Sequence, residues 1–161
     1  MPRRFSLPSC RPLAAIAIAC VLLTCAAAED PSPTFTVETH RGHVVFLAEA
    51  AEKRNGVPVV PEARDRILAL ETSQGELIPL LEDVRARAFR RDERLRKMEI
   101  ELVVRRYRGS PLVQIIGVAE IAKDGKFEID YWCDICAIAM FEQKDCECCQ
   151  EPNVLRRRKV D

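Results

Sequence analysis

Five of the chain's eight cysteines fall between Cys133 and Cys149, and this crowding constrains the fold more than any other feature of the sequence. They run Cys133-Asp-Ile-Cys136, then nine residues, then Cys146-Glu-Cys148-Cys149. Taking Cys146 and Cys149 as the second pair gives C-x2-C twice. Two residues between thiols let a tight turn aim both sulfurs at one ion about 2.3 Å away, and two such turns complete a tetrahedral shell. Cys148 is left over, either as a thiol beside the shell or as a substitute for one of its members. Zinc is the favoured ion. Copper(I), which also prefers thiolates, is the alternative where five sulfurs lie so close. A closed four-sulfur shell would be structural, because a catalytic zinc keeps a position open.

Two other chemistries compete for the same thiols. In an oxidising compartment Cys133 or Cys136 could pair with Cys146 or Cys149 and staple a terminal loop, although an odd thiol would remain. Alternatively, Cys133 and Cys136 could act as a thiol-disulfide oxidoreductase. The strand-like run Phe127 to Trp132 leads into C-x-x-C, and Ala137-Ile-Ala-Met-Phe-Glu could open a helix whose N-terminus lowers the Cys133 pKa. The βαβ unit that normally precedes such a turn is missing. A copper or haem-intermediate carrier is a third class.

The first 28 residues read as a signal peptide. Arg3, Arg4 and Arg11 precede an apolar run from Leu13, and Ala26, Ala27 and Ala28 supply the small side chains of a cleavage site. That run, about 16 residues to Ala28, falls short of the roughly 20 that span a bilayer. A lipid on Cys20 or Cys25 would need a better preceding set of residues than either has. The chain is therefore expected to be exported, whether periplasmic, secreted or membrane-associated, touching a membrane only through an uncleaved or lipidated leader. Without the leader, 22 basic side chains face 25 acidic ones. This mildly acidic balance argues against nucleic acid as the main partner and leaves a metal ion or an unidentified protein. About 130 remaining residues can bury a real core, so the cysteines serve one local spot.

Residues 29–34 form a proline-containing linker before a β-rich domain over 35–132. Phe35-Thr-Val-Glu-Thr alternates and His43-Val-Val-Phe-Leu is apolar, so with Gly42 between them they predict one strand with a bend or bulge. Ala48 to Arg54 is a short helical turn. Arg66 to Thr72 and Glu76 to Leu81 flank Ser73-Gln-Gly75 as a hairpin. Glu82 to Arg94 is charged and poor in β-branched residues, hence a helical insert. Met98 to Tyr107 alternates at period two. Leu112 to Ile121 and Lys126 to Trp132 flank the turn Asp124-Gly125. The fold class is mainly β, α+β, a small antiparallel barrel of possible OB type with one helical insert, the cysteine segment over 133–150 and a basic tail over 151–161.

The remaining signals read as ordinary structure. His40 and His43 stand at a strand start, away from the cysteines. Arg85, Arg87, Arg90, Arg91, Arg94 and Arg96 are interleaved with Glu82, Asp83, Asp92 and Glu93, as on a solvated face laced with ion pairs. Tyr131 and Trp132 are expected to pack over the cysteine cluster, and Arg156-Arg-Arg-Lys159 to be a disordered tail. No Ser-His-acid set, phosphate loop or paired-carboxylate motif is visible, so hydrolase and kinase chemistry have no support.

Three segments, Ala86 to Arg96, Glu128 to Glu142 and Cys146-Glu-Cys-Cys-Gln150, together resemble an uncharacterised family of exported proteins from planctomycete bacteria with a C-terminal CxxC…CxCC cluster. The resemblance covers most of the chain after the leader and is most specific over the cysteines. It implies export and carries no activity. The expected molecule is an exported, non-enzymatic binding or interaction domain with Cys133, Cys136, Cys146 and Cys149 as zinc ligands and Cys148 in reserve.

Overall fold

Gly42 is the position on which the sheet turns. It lies in β1 (Phe35–Phe46) and pairs with Thr72 of β2 (Leu68–Thr72) on one side and with Ile100 of β4 (Ile100–Tyr107) on the other. A Cβ at this position would sit 2.0 Å from the Glu71 carbonyl oxygen, so only glycine lets β2 approach here. The bend expected at Gly42 is thus a crossing point within one continuous strand. The computed structural model describes residues 34–160. The expected signal peptide 1–28 and all but the last residue of the linker 29–34 lie outside the described residues.

β1 runs directly into α1 (Leu47–Asn55), which stops at Gly56 in the left-handed conformation, φ 65°, its N–H on the Glu52 carbonyl. The expected hairpin forms between β2 and β3 (Leu77–Pro79). The predicted helical insert is two helices, α2 (Val84–Arg91) and α3 (Glu93–Lys97). Asp83 caps the first by accepting from the N–H groups of Arg85 and Ala86. Asp92 breaks the run by adopting an extended conformation and capping the second. Ala86, Phe89 and Leu95 are the buried side of this pair. β4 then pairs with β1 along its length and with β5 (Val113–Ala122), with one bulge at Ile116 of β5.

Leu80, just after β3, forms a parallel bridge with Val113, and the Leu81 N–H donates to the Val113 carbonyl at 2.8 Å. β3 therefore lies beside the start of β5, and the first five strands come round in the order β1-β2-β3-β5-β4. The mainly antiparallel β architecture with a helical insert is as expected.

β6 (Gly125–Cys133) carries three neighbours. β8 (Val154–Val160) covers one edge from Lys126 to Trp132. The other edge is shared by β5 over Gly125–Glu128 and β7 (Ile138–Met140) over Tyr131–Cys133. The expectation of a disordered basic tail is overturned. Arg156 sits opposite Asp130 and bonds it at 2.8 and 2.6 Å, and Arg158 sits opposite Glu128 and bonds it at 2.7 Å. Arg157 covers the Phe127 ring at 4.2 Å. The basic residues match the acids and rings of β6, and cross-strand pairs of this kind hold a strand that looks like a charged tail in isolation. The boundary expected at 132/133 falls on the last residues of β6. Among the described residues no helix is long and apolar enough to cross a membrane.

Candidate metal centre

Cys133 ends β6 and is buried, and Ile138 opposite it begins β7, so the first C-x2-C is the tip of a hairpin. The turn is closed by the Ala137 N–H on the Cys133 carbonyl at 2.9 Å, with Ala137 left-handed at φ 53°. The second C-x2-C repeats the device. Asp145 bridges Pro152, and the Cys146 N–H meets the Glu151 carbonyl. The Gln150 N–H donates to the Cys146 carbonyl at 2.9 Å, with Gln150 left-handed at φ 63°. Two turns unrelated in surrounding sequence thus share hydrogen bond and dihedral signature.

They converge. The Sγ atoms of Cys133, Cys136, Cys146 and Cys149 all lie within 4.8 Å of one another, and Cys133 and Cys149 are 3.4 Å apart. Four sulfurs about 2.3 Å from a central ion at tetrahedral angles would stand about 3.8 Å apart, so the four can hold a metal ion with sub-ångström adjustments. A disulfide needs about 2.05 Å, and all five cysteines among the described residues are free thiols. Cys148, exposed, is outside the tetrad, though its position in the same turn keeps it beside Cys136.

The second turn favours one thiolate. The backbone N–H groups of Cys149 and Cys148 point at the Cys146 sulfur and pull its thiol from 9.0 down to about 7. The Cys136 N–H lies 3.5 Å from the Cys133 sulfur. The Cys148 and Cys149 sulfurs beside Cys136 push its thiol up.

A buried carboxylate anchors the cluster to the rest of the fold. Met140 is buried and Phe141 exposed, so period two turns Glu142 inward, where it is nearly inaccessible. Arg87 of α2 grips it through two hydrogen bonds, with Arg91 and Lys144 farther out at 3.7 and 3.8 Å. Arg87 holds its carboxyl below the usual range. Asn153, also buried, donates to the Glu142 carbonyl and accepts from the Lys144 N–H, tying together the strands on either side of the second turn. The cysteine spacing gives no hint of Glu142 or Asn153. The one available signal is the period-two phase from Met140 to Glu142.

Several expectations need correction. Residues 138–140 are a strand, so no helix follows Cys136 to activate Cys133 as in a thiol oxidoreductase. Tyr131 shares the Cys133 face of β6 and is buried, its hydroxyl donating to Asp92 at 2.7 Å. Trp132 points to the opposite face, under the Arg156 guanidinium at 3.8 Å, and does not cover the cluster. His40 lies 2.9 Å from Glu38 and His43 is exposed, neither near the sulfurs in register. The arginine-rich helical face is laced with ion pairs as expected. Arg90 is bidentate on Glu82 and Arg94 on Asp92. No family model, curated protein or solved structure matches the chain.

Proposed function

We propose that this is an exported, non-enzymatic binding or interaction domain whose C-terminal hairpins are locked by one structural zinc ion on Cys133, Cys136, Cys146 and Cys149. The observation that carries the reading is the convergence of four sulfurs within 4.8 Å from two turns of the same geometry. Paired C-x2-C hairpin tips are the arrangement of structural zinc ribbons, and four protein thiolates leave no open position for substrate. The tetrahedral spacing favours zinc over copper(I). The strand order β1-β2-β3-β5-β4 with helices between the third and fourth strands supports an OB-like barrel as the binding body. The leader features support export, and the planctomycete resemblance is consistent with it.

Native mass spectrometry with elemental analysis tests the reading on protein recovered from the exported fraction. The expected result is one zinc per chain, reduced cysteines and a mass lacking the first 28 residues. Metal-free protein with oxidised cysteines overturns the metal centre, and an intact leader overturns export by cleavage.

A further inference from the structure

Between β5 and β6 the sheet comes apart. The two strands pair as far as Ala119 with Glu128, and β7 takes up β6 only from Tyr131. Ile129 and Asp130 between them pair with β8 alone. Across the gap Gly117 and Val118 pair with β4 alone, and Ile116 is the bulged residue. The gap is a cavity of about 160 Å³ reaching down to Phe89 and Leu95, both buried. A cavity of about this size has room for one benzene, and beside its charged residues Ala88, Phe89, Leu95 and Ile129 give it an apolar part, so it fits a single large apolar side chain.

Two arginines, Arg85 and Arg158, and two carboxylates, Glu128 and Asp130, line the rim, and both carboxylates are already taken up from the β8 side. Arg158 is satisfied by Glu128 and Asp130, and Arg156 by Asp130. Arg85 lies over the exposed ring of Phe141 at 3.8 Å and has no carboxylate partner among the described residues. The stretches left without a neighbour on two diverging strands present main-chain groups to the same space. The cleft therefore offers an apolar hole, an uncompensated guanidinium and free strand edges together, which suits an apolar group carrying a carboxylate.

We infer that this cleft captures the C-terminal residue of a partner polypeptide, its carboxylate on Arg85 and its apolar side chain in the hole above Phe89 and Leu95. The inference rests on reading the domain as an interaction module and supplies the chemistry of its partner. A chain terminus fits better than a chain passing through, because the hole has room for one side chain and Arg85 is the only unmatched charge on the rim.

The test is NMR titration of the zinc-loaded, ¹⁵N-labelled protein with a pool of hexapeptides that end in leucine and carry a free carboxylate. Saturable shifts are expected at Gly117, Ile129, Phe141 and the Arg85 side chain. Amidating the peptide C-terminus, or Arg85→Gln in a variant with unchanged melting, is expected to weaken binding by about tenfold, roughly one charge-assisted hydrogen bond. Equal binding by the amidated pool, shifts confined to another face, or 4-methylpentanoate binding as tightly as the peptides each overturns the assignment. Zinc content is measured on the same sample. Protein that holds its zinc yet shows no saturable shift overturns the capture site and leaves the metal reading standing.

Discussion

Arg87 in α2 and Glu142 beyond β7, 55 residues apart, meet in two parallel hydrogen bonds of 2.6 and 2.7 Å. The carboxylate is almost wholly buried and the guanidinium half exposed, so the arginine brings charge from the solvent side to a buried group and, with Arg91 and Lys144 farther out, favours its ionised form. Glu142→Gln keeps the shape and removes the charge. It is expected to lower stability by about 1–2 kcal/mol, read as a shift of the urea midpoint. Hydrogen exchange at Met140–Lys144 should rise as the hairpin loosens from α2. An unchanged midpoint with unchanged protection would show that the pair contributes nothing net.

The four tetrad cysteines and Cys148 are expected to behave differently. Serine at Cys133 or Cys146, both buried, removes a donor and should cost more zinc affinity than the about 10–100-fold typical of losing an outer-shell partner. Hydrogen exchange should show the β7 and β8 region losing protection first. Cys148→Ser should keep one zinc per chain in a competition assay against a chromogenic chelator. Equal loss in all three variants would make Cys148 a ligand.

Ala137 and Gln150 occupy the same left-handed position in the two turns, at φ 53° and 63°. A non-glycine residue there costs about 1–2 kcal/mol, which glycine avoids while losing part of the gain to greater freedom when unfolded. Ala137→Gly and Gln150→Gly should each raise stability by about 0.5–1 kcal/mol, and Ala137→Val should lower it. Chemical denaturation of the metal-loaded protein measures both signs.

Acid should weaken the sheet in a defined window. Arg106, and then His40, bond Glu38 and hold its carboxyl at about 2 against an ordinary 4.5. A group depressed in the folded state binds fewer protons there than when unfolded between those two values. Its contribution is therefore fully present above pH 4.5 and is lost as pH falls through about 2. Glu38→Gln should flatten the fall of the urea midpoint across that range. Acid release of metal lowers the midpoint of both proteins alike, because Glu38 pairs β1 with β4 away from the sulfurs, so the difference in slope isolates Glu38. An unaltered slope would mean the pair is open in solution.

Tyr131→Phe isolates a buried bond between the sheet and the helices. Its hydroxyl reaches Asp92, the residue that separates α2 from α3, and burial with that bond pushes the phenol far above its usual range. Loss of the hydroxyl leaves Asp92 with Arg94 and its capping bonds, so the expected cost is about 1–2 kcal/mol, measured by thermal melting.

Local chemistry made much of this architecture readable. The glycine turns at Gly75 and Gly125 divide the hairpins where expected, and the C-x2-C spacing identifies the four sulfurs that converge. What stayed hidden depends on partners distant in sequence. Arg156, Arg157 and Arg158 look like a solvated tail until Asp130, Glu120 and Glu128 are placed beside them. Ala137 to Glu142 has helix-forming residues, but the hairpin tip at Cys133 and the pull of Arg87 on Glu142 select a strand. The return of β3 to β5 rests on the Leu80–Val113 bridge, which no window of sequence contains.

The four converging sulfurs all belong to the last thirty residues of the chain. A chain that folds as it emerges, amino end first, would therefore have strands β1 to β5 in hand before the first of the four sulfurs arrives.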